Sequence, residues 1–197
     1  LFQGFVSKSQ EGKKMNDQES IRITSTAKLL RFKTREEYER NKDKIADIFA
    51  GKIDPKEVGC EYEECHGNIG LNAGLDTLVF LLIGNPNCQA YGSHSRIWVG
   101  DGDAPAQRTQ TSLQGENRAY APMDAGFPRP ISPGAVEFQA TFDENTANFP
   151  WREWGVDNGP DQVEGSGFGG KLLNRKVHYW GTKQGGVWVF QVRISFA

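Results

Sequence analysis

The spacing of apolar residues changes near Ser95: after it they alternate with polar residues, and before it they recur at helical spacing. The last segment alternates most cleanly. Trp188, Phe190, Val192, Ile194 and Phe196 share one face, and Val189, Gln191, Arg193 and Ser195 the other, as in a strand with one face in a core. Val136, Phe138, Ala140 and Phe142 alternate in the same way against Glu137, Gln139 and Thr141. Further strands are predicted over 97–99, over Arg152, Trp154 and Val156, and over 172–180. The last of these is expected to form a hairpin with 187–196 through Gly181 and Gly185-Gly186. Residues 104–134 read as polar and turn-rich, holding Pro105, Pro122, Pro128, Pro130 and Pro133, and 155–170 reads as a long, mobile glycine-rich loop.

Ahead of Ser95, residues 20–24 alternate as a short strand and 28–33 form a second extended piece. Thr34-Arg35-Glu36-Glu37 is a capping box, in which the threonine oxygen takes a first-turn amide and Glu37 reaches back to the cap. Tyr38, Ile45, Ile48 and Phe49 follow at helical spacing as far as Gly51, predicting one amphipathic helix of about four turns. A second helix is predicted near 72–83, capped by Asn72, with Leu75, Leu78, Val79 and Leu82 buried against a sheet. Gly84-Asn85-Pro86-Asn87 ends it.

These patterns predict a mainly β fold: an antiparallel β-sandwich or jelly-roll-like core with one or two accessory α-helices. The expected core is Leu75, Leu78, Leu82, Phe138, Phe142, Trp188, Phe190, Val192 and Ile194. Leu1-Phe2-Gln3-Gly4 resembles the scar of a viral 3C-type protease site, so residues 1–14 are read as tag remnant and linker, with Met15 as the expected native start. Residues 15–58 are then a strand-helix appendage, and 59–197 the sandwich-like domain.

Composition narrows the functional classes. A net charge of −2 and a pI near 6.0 argue against bulk electrostatic binding of nucleic acid. Residues 1–58 hold 13 of the 23 Lys and Arg against 10 of the 25 Asp and Glu, a basic bias that a solvated helix surface accounts for. No apolar run reaches the roughly 18 residues of a membrane span. Three cysteines, an odd number, do not suggest a secreted disulfide scaffold.

Candidate chemistry is sparse. Cys60, Cys65 and His66, with Cys88 and His94 to complete a site, are loosely zinc-like but lack a second paired motif. Asp101-Gly102-Asp103 and Asp157-Asn158-Gly159-Pro160-Asp161 have the oxygen-rich look of calcium loops without the distal glutamate. Asp, Asn and Gly also dominate plain turns. No nucleophile elbow, phosphate loop or dinucleotide fingerprint is present, and His66, His94 and His178 do not pair with a serine or cysteine nucleophile. No catalytic, cofactor-binding or metal residue is assigned. Trp98, Trp151, Trp154, Trp180 and Trp188 would make a sugar-stacking platform if exposed, and a core if buried.

Arg96-Ile97-Trp98-Val99-Gly100-Asp101-Gly102, followed by Thr109-Gln110-Thr111-Ser112-Leu113, resembles the opening of phage tail-collar and tail-fibre proteins. In the same order, residues 136–142, Ala147-Asn148-Phe149 and Arg152-Glu153-Trp154-Gly155-Val156 are similar to that family's later stretch. Leu172-Leu173-Asn174-Arg175-Lys176-Val177 is similar to its closing strand. Residues 66–74 resemble the helix-entry segment of uncharacterised phage structural proteins. The resemblance covers 66–197; it departs at Trp154, where isoleucine is usual, and at Asp157, where phenylalanine is usual, and the 34–49 helix lies outside it. It implies a non-enzymatic virion subunit, tail or collar-fibre-like or a capsid decoration, made in the host bacterial cytoplasm. Its partners would be other virion proteins and further copies of itself, as a trimer, through the loops 121–133 and 157–170. The alternative is a carbohydrate-binding host-receptor module using exposed tryptophans.

Overall fold

The computed structural model describes residues 23–196; the tag-remnant, linker and Met15 readings lie outside the described residues. The fold is mainly β, two five-stranded antiparallel sheets with short helices against them, and the sandwich with accessory helices is what the alternation predicts. One sheet contains β1 (Ile23–Phe32), β2 (Glu61–His66), β6 (Arg129–Ser132), β7 (Ala135–Phe142) and β10 (Val187–Phe196), in the order β2-β1-β10-β7-β6. The other contains β3 (Ile69–Gly70), β4 (Arg96–Gly100), β5 (Arg118–Pro122), β8 (Pro150–Asp157) and β9 (Asn174–Thr182), in the order β3-β9-β8-β4-β5.

The facing surfaces make the main core. Phe138, Ala140, Phe142, Trp188, Phe190, Val192 and Ile194 meet Ile97, Val99, Trp151, Trp154, Val156 and Trp180 there. Ring pairs hold the two sheets together, with Trp151 and Trp188 centroids 4.7 Å apart and Trp180 and Phe190 5.1 Å apart, both edge-on. The predicted core positions of β7 and β10 are all buried.

The chain between 23 and 58 is built into the sandwich, where the sequence suggested an appendage. The described part of the first predicted extended piece, Ile23 and Thr24, is continuous with the second, and β1 pairs with β10 along its whole length, from Ile23 opposite Phe196 to Phe32 opposite Val187; residues 20–22 lie outside the described residues. Ala27 and Leu29 enter the main core. Leu30 and Phe32 point the other way and, with Val187 and Val189, form a second core with Ile45, Ile48, Phe49 and Cys60. The outer face of β10 is therefore apolar at one end and exposed at Arg193.

The covering helix is broken into α1 (Arg35–Asn41), a 3-10 turn at Lys42–Lys44 and α2 (Ile45–Phe49). Thr34 caps α1 as predicted, its oxygen accepting from the Glu37 amide, whereas the Glu37 carboxylate reaches the Lys33 amide, one residue before the cap. The break falls where the Asn41 side chain donates to the Glu37 carbonyl at 2.9 Å, competing with the helical ladder. Lys28 donates to the Phe49 carbonyl at 2.8 Å, a cation at the helix C-terminus.

Three other expectations change. β9 and β10 are not a hairpin: β9 pairs with β8 and β10 with β1 and β7, so residues 183–186 carry the chain from one sheet to the other. The turn-rich stretch contains β5 and β6, edge strands whose prolines and exposed side chains hide the alternation. Finally, α3 (Asn72–Leu82) is docked through Gly74 and Thr77, with Leu78 packed on the main core as expected and Val79 and Leu82 left outside. Gly74 and Thr77 are buried; a Cβ on Gly74 would lie 2.5 Å from the Leu173 Cα, so only glycine permits this approach. Leu75 and Leu78 are half-buried, Val79 and Phe80 are exposed, and Leu82 is 87% and Ile83 71% exposed. Asn72 is the first helical residue, donating its amide to the Arg108 carbonyl, and does not cap the helix.

Burial sets the expected costs of truncation. Phe190→Ala, in the centre of the main core, should destabilise by about 3–5 kcal/mol, whereas Leu82→Ala should stay within about 0.5 kcal/mol of wild type. Urea denaturation of the two variants measures both, and a multi-kilocalorie loss at Leu82 would contradict its exposed position.

Candidate functional site

The separated motif pieces of the sequence converge on one buried ion pair. Glu153 of β8 and Arg175 of β9 are both fully buried, with Arg175 Nε 2.6 Å from Glu153 Oε2. The loop after β4 closes over them. Glu153 accepts from the Gln114 amide at 2.8 Å and the Gly115 amide at 2.6 Å, and Arg175 Nη1 donates to Gln110 Oε1 at 3.0 Å. A Cβ on Gly102 would stand 2.5 Å from Glu153 Oε1 and from the Gly115 amide, so the loop crosses where only glycine fits. One strand register away, Asn174 accepts from the Val156 amide at 3.2 Å. The glycines, glutamate, asparagine and arginine of these motif pieces thus serve the fold.

A second knot lies at the loop joining β7 to β8. Lys183 is fully buried, and its ammonium donates to the Asp143 carbonyl and, at 3.1 Å, to Asn148 Oδ1. Burial pushes its pKa down to about 8, against the pull of Asp143 and Glu144.

The metal candidates are not brought together, and no metal-binding cluster of His, Cys, Asp or Glu occurs among the described residues. Cys60 lies in the second core and Cys65 in the main one, on opposite sides of a sheet, and burial raises each thiol to about 11. His66 is exposed beside Glu64 and Thr26. The calcium-like aspartates hold turns. Asp101 accepts from the backbone and side chain of Asn117, Asp103 faces Arg152 at 3.8 Å, and Asp161 accepts from the Gly167 and Gly169 amides.

The glycine-rich loop is tied down where the sequence suggested mobility. Asn158, buried, donates to the carbonyls of Gln89 and Phe168, at 3.0 and 2.7 Å, and accepts from the Lys171 amide at 2.8 Å. Gln89 in turn donates to the Pro160 carbonyl and accepts from the Gln162 amide.

The tryptophans do not form a platform. Trp151, Trp154, Trp180 and Trp188 are buried in the main core, and only Trp98 is part-exposed. Trp98 walls a cleft of about 420 Å3 with Arg96, Leu113, Glu116 and Arg118. Its indole N–H donates to Asp157 at 2.8 Å, and Arg96 makes a forked pair with the same carboxylate. The Arg96 guanidinium lies over both Trp98 and Tyr120, at 5.1 and 4.6 Å from the ring centroids. Burial acts to lower the Arg96 pKa, but the bonds and charge of Asp157 outweigh it and the net shift is upward.

Neither the buried pair nor this cleft was assigned from the sequence. The available signal was a charge within apolar strands: Glu153 between Trp151 and Trp154, and Arg175 after Leu172-Leu173. Fold and site together define a two-sheet antiparallel β-sandwich with a motif-braced loop. Comparison of the chain with known protein families, curated proteins and solved structures finds no match to any of them.

Two measurements probe the knots. Glu153→Ala should cost about 3–5 kcal/mol because Arg175 is left charged and buried; Glu153→Met/Arg175→Met should lose less than the two single changes summed, in a denaturation cycle. Lys183 has a folded pKa below its ordinary 10.5, so the unfolded chain holds the extra proton between about 8 and 10.5. Stability relative to Lys183→Met should therefore rise as pH increases through that window and level off above it. Urea midpoints of both proteins across the window test the sign.

Proposed function

We propose that the chain is a non-enzymatic structural subunit of a tailed-bacteriophage virion, tail or collar-fibre-like or a capsid decoration, which works by assembling with its neighbours. The observation that carries this reading is the apolar surface at the end of α3. Val79, Phe80, Leu82 and Ile83 are exposed there, and Phe80 packs edge-on against Phe168 with ring centroids 6.0 Å apart. Val163, also exposed, stands one turn from Phe168 in the same loop, its carbonyl accepting from the Ser166 amide.

Singly exposed apolar residues are ordinary, but a contiguous group on a helix end and an adjoining braced loop is a surface to be covered. Full burial of an exposed side chain of this kind is worth at most roughly 1.5–3 kcal/mol, less for Phe80 and Val79, which are partly covered already, and the internal hydrogen bonds of the loop lower its ordering cost. The favoured occupant is another copy of the chain in a closed ring, because a heterologous contact that closes by rotation satisfies every copy at once. A trimer is what the tail-fibre resemblance implies. The collinear motifs support the same reading, since in this fold they brace a scaffold. Localisation in the virion, after synthesis in the host bacterial cytoplasm, belongs to the proposal.

Size exclusion with light scattering across a concentration series tests it. Wild type should run as a trimer or larger ring, and Leu82→Asp/Ile83→Asp should run as a folded monomer. Wild type that stays monomeric throughout and binds no purified phage particle would sink the proposal.

A further inference from the structure

We infer that the open edge of β2 takes up an extended, lysine- or arginine-bearing segment of another protein as an added strand of its sheet. Among the described residues β2 is unlike the other edge strands. β3 has two residues, β5 ends in Pro122 and β6 carries Pro130, and a proline offers no N–H to a further strand. β2 runs for six residues without proline, and only Cys65 is buried. One bond gives the phase of its ladder. The Gly67 amide donates to the Ser25 carbonyl at 2.8 Å, one step beyond the pairing of His66 with Thr26. Bonded positions alternate along an antiparallel pair, so Glu61, Glu63 and Cys65 turn their amides and carbonyls to β1, and Tyr62, Glu64 and His66 turn theirs outward. No turn or loop of the described residues bonds these outward groups.

Charge selects the occupant. β2 carries Glu61, Glu63 and Glu64 and no lysine or arginine. Glu63 is answered by Arg31 and by His178 at 2.8 Å. Glu61 is 64% exposed with Arg31 3.6 Å away, and the same guanidinium also serves Glu63 and the Trp180 carbonyl. Glu64 lies on the opposite face of the strand, where it accepts from the Tyr62 hydroxyl and has His66 3.5 Å away. Lys28, opposite Glu64 in the register, is drawn instead to the Phe49 carbonyl. A second copy of β2 is a poor occupant: antiparallel pairing centred on Glu63 or on Glu64 sets that carboxylate against its own copy, and like charges directly opposite are destabilising. A segment with lysine or arginine facing Glu61 and Glu64 reverses the sign of that interaction. The main-chain bonds then supply affinity that does not depend on its other side chains.

Amide hydrogen exchange read by NMR on the full chain tests the inference, with acetylated, amidated peptides of alternating lysine and threonine, or glutamate and threonine, as probes. The lysine peptide should protect the amides of Tyr62, Glu64 and His66 and leave Glu63 and Cys65, already in the ladder, unchanged; the glutamate peptide should protect none. Glu61→Lys/Glu64→Lys should weaken binding of the lysine peptide about tenfold or more. Glu64→Pro removes an outward N–H and leaves the β1 ladder intact, so it should bind more weakly than Glu64→Gln, which removes the charge alone. Equal binding by those two variants would reduce the contact to surface electrostatics and overturn the strand addition. The inference also fails if the lysine peptide gives no protection or if the two peptides protect alike. Protection of the same amides on raising the protein concentration alone would make the occupant a second copy and overturn it as well. Wild type that proves monomeric yet takes up the lysine peptide keeps this inference and loses the assembly reading.

Discussion

The buried pair of Glu153 and Arg175 organises the sheet that carries the loops. It joins adjacent strands, β8 and β9; the Glu153 carboxylate and Arg175 Nη1 also bond the loop after β4, while Arg175 Nη2 is buried without a partner. Charges taken out of water need partners, and most of those here are backbone amides and a glutamine that exist only if the loop takes one path. The ion pair therefore contributes specificity more than net stability. It fixes where residues 101–117 run, and with them Leu113 and Glu116. The cleft beside Trp98 is a consequence of that path, as Arg96 and Trp98 come from β4 itself and the opposing groups from the braced loop.

The second sheet is organised around β10, which lies between β1 and β7 and has apolar residues on both faces. Its inward residues meet the tryptophans of the other sheet, while Val187 and Val189 meet α2 on the outside. A central strand buried on both sides needs a cover on each. The residues between 33 and 58 supply the outer cover, which makes them part of the folding unit. The aromatic content is largely consumed by this arrangement, with four tryptophans committed to the main core.

What remains at the surface is divided between two chemistries. The end of α3 and the loop around Phe168 are apolar, whereas the cleft sets charged side chains beside Trp98 and Leu113. Both rest on rigid supports: α3 is held by the close approach of Gly74 to Leu173, and the cleft by Asp157.

The sequence by itself determined that strands dominate, the inward faces of β7 and β10 and the Thr34 cap, because alternation and capping are local and depend on neighbours a few residues away. It also carried the motif order, though not what the motif residues do. Tertiary structure alone decided which strands pair. β9 and β10 are adjacent in sequence but belong to different sheets, and β1 finds its partner at the far end of the chain. The same holds for α3, where Gly74 and Thr77 make the close approach while Val79 and Leu82, expected to be buried, are exposed, and for the burial of Glu153 and Arg175. In each case the deciding partner is distant along the chain, and the free energy of a close approach or a desolvated charge is absent from any local window.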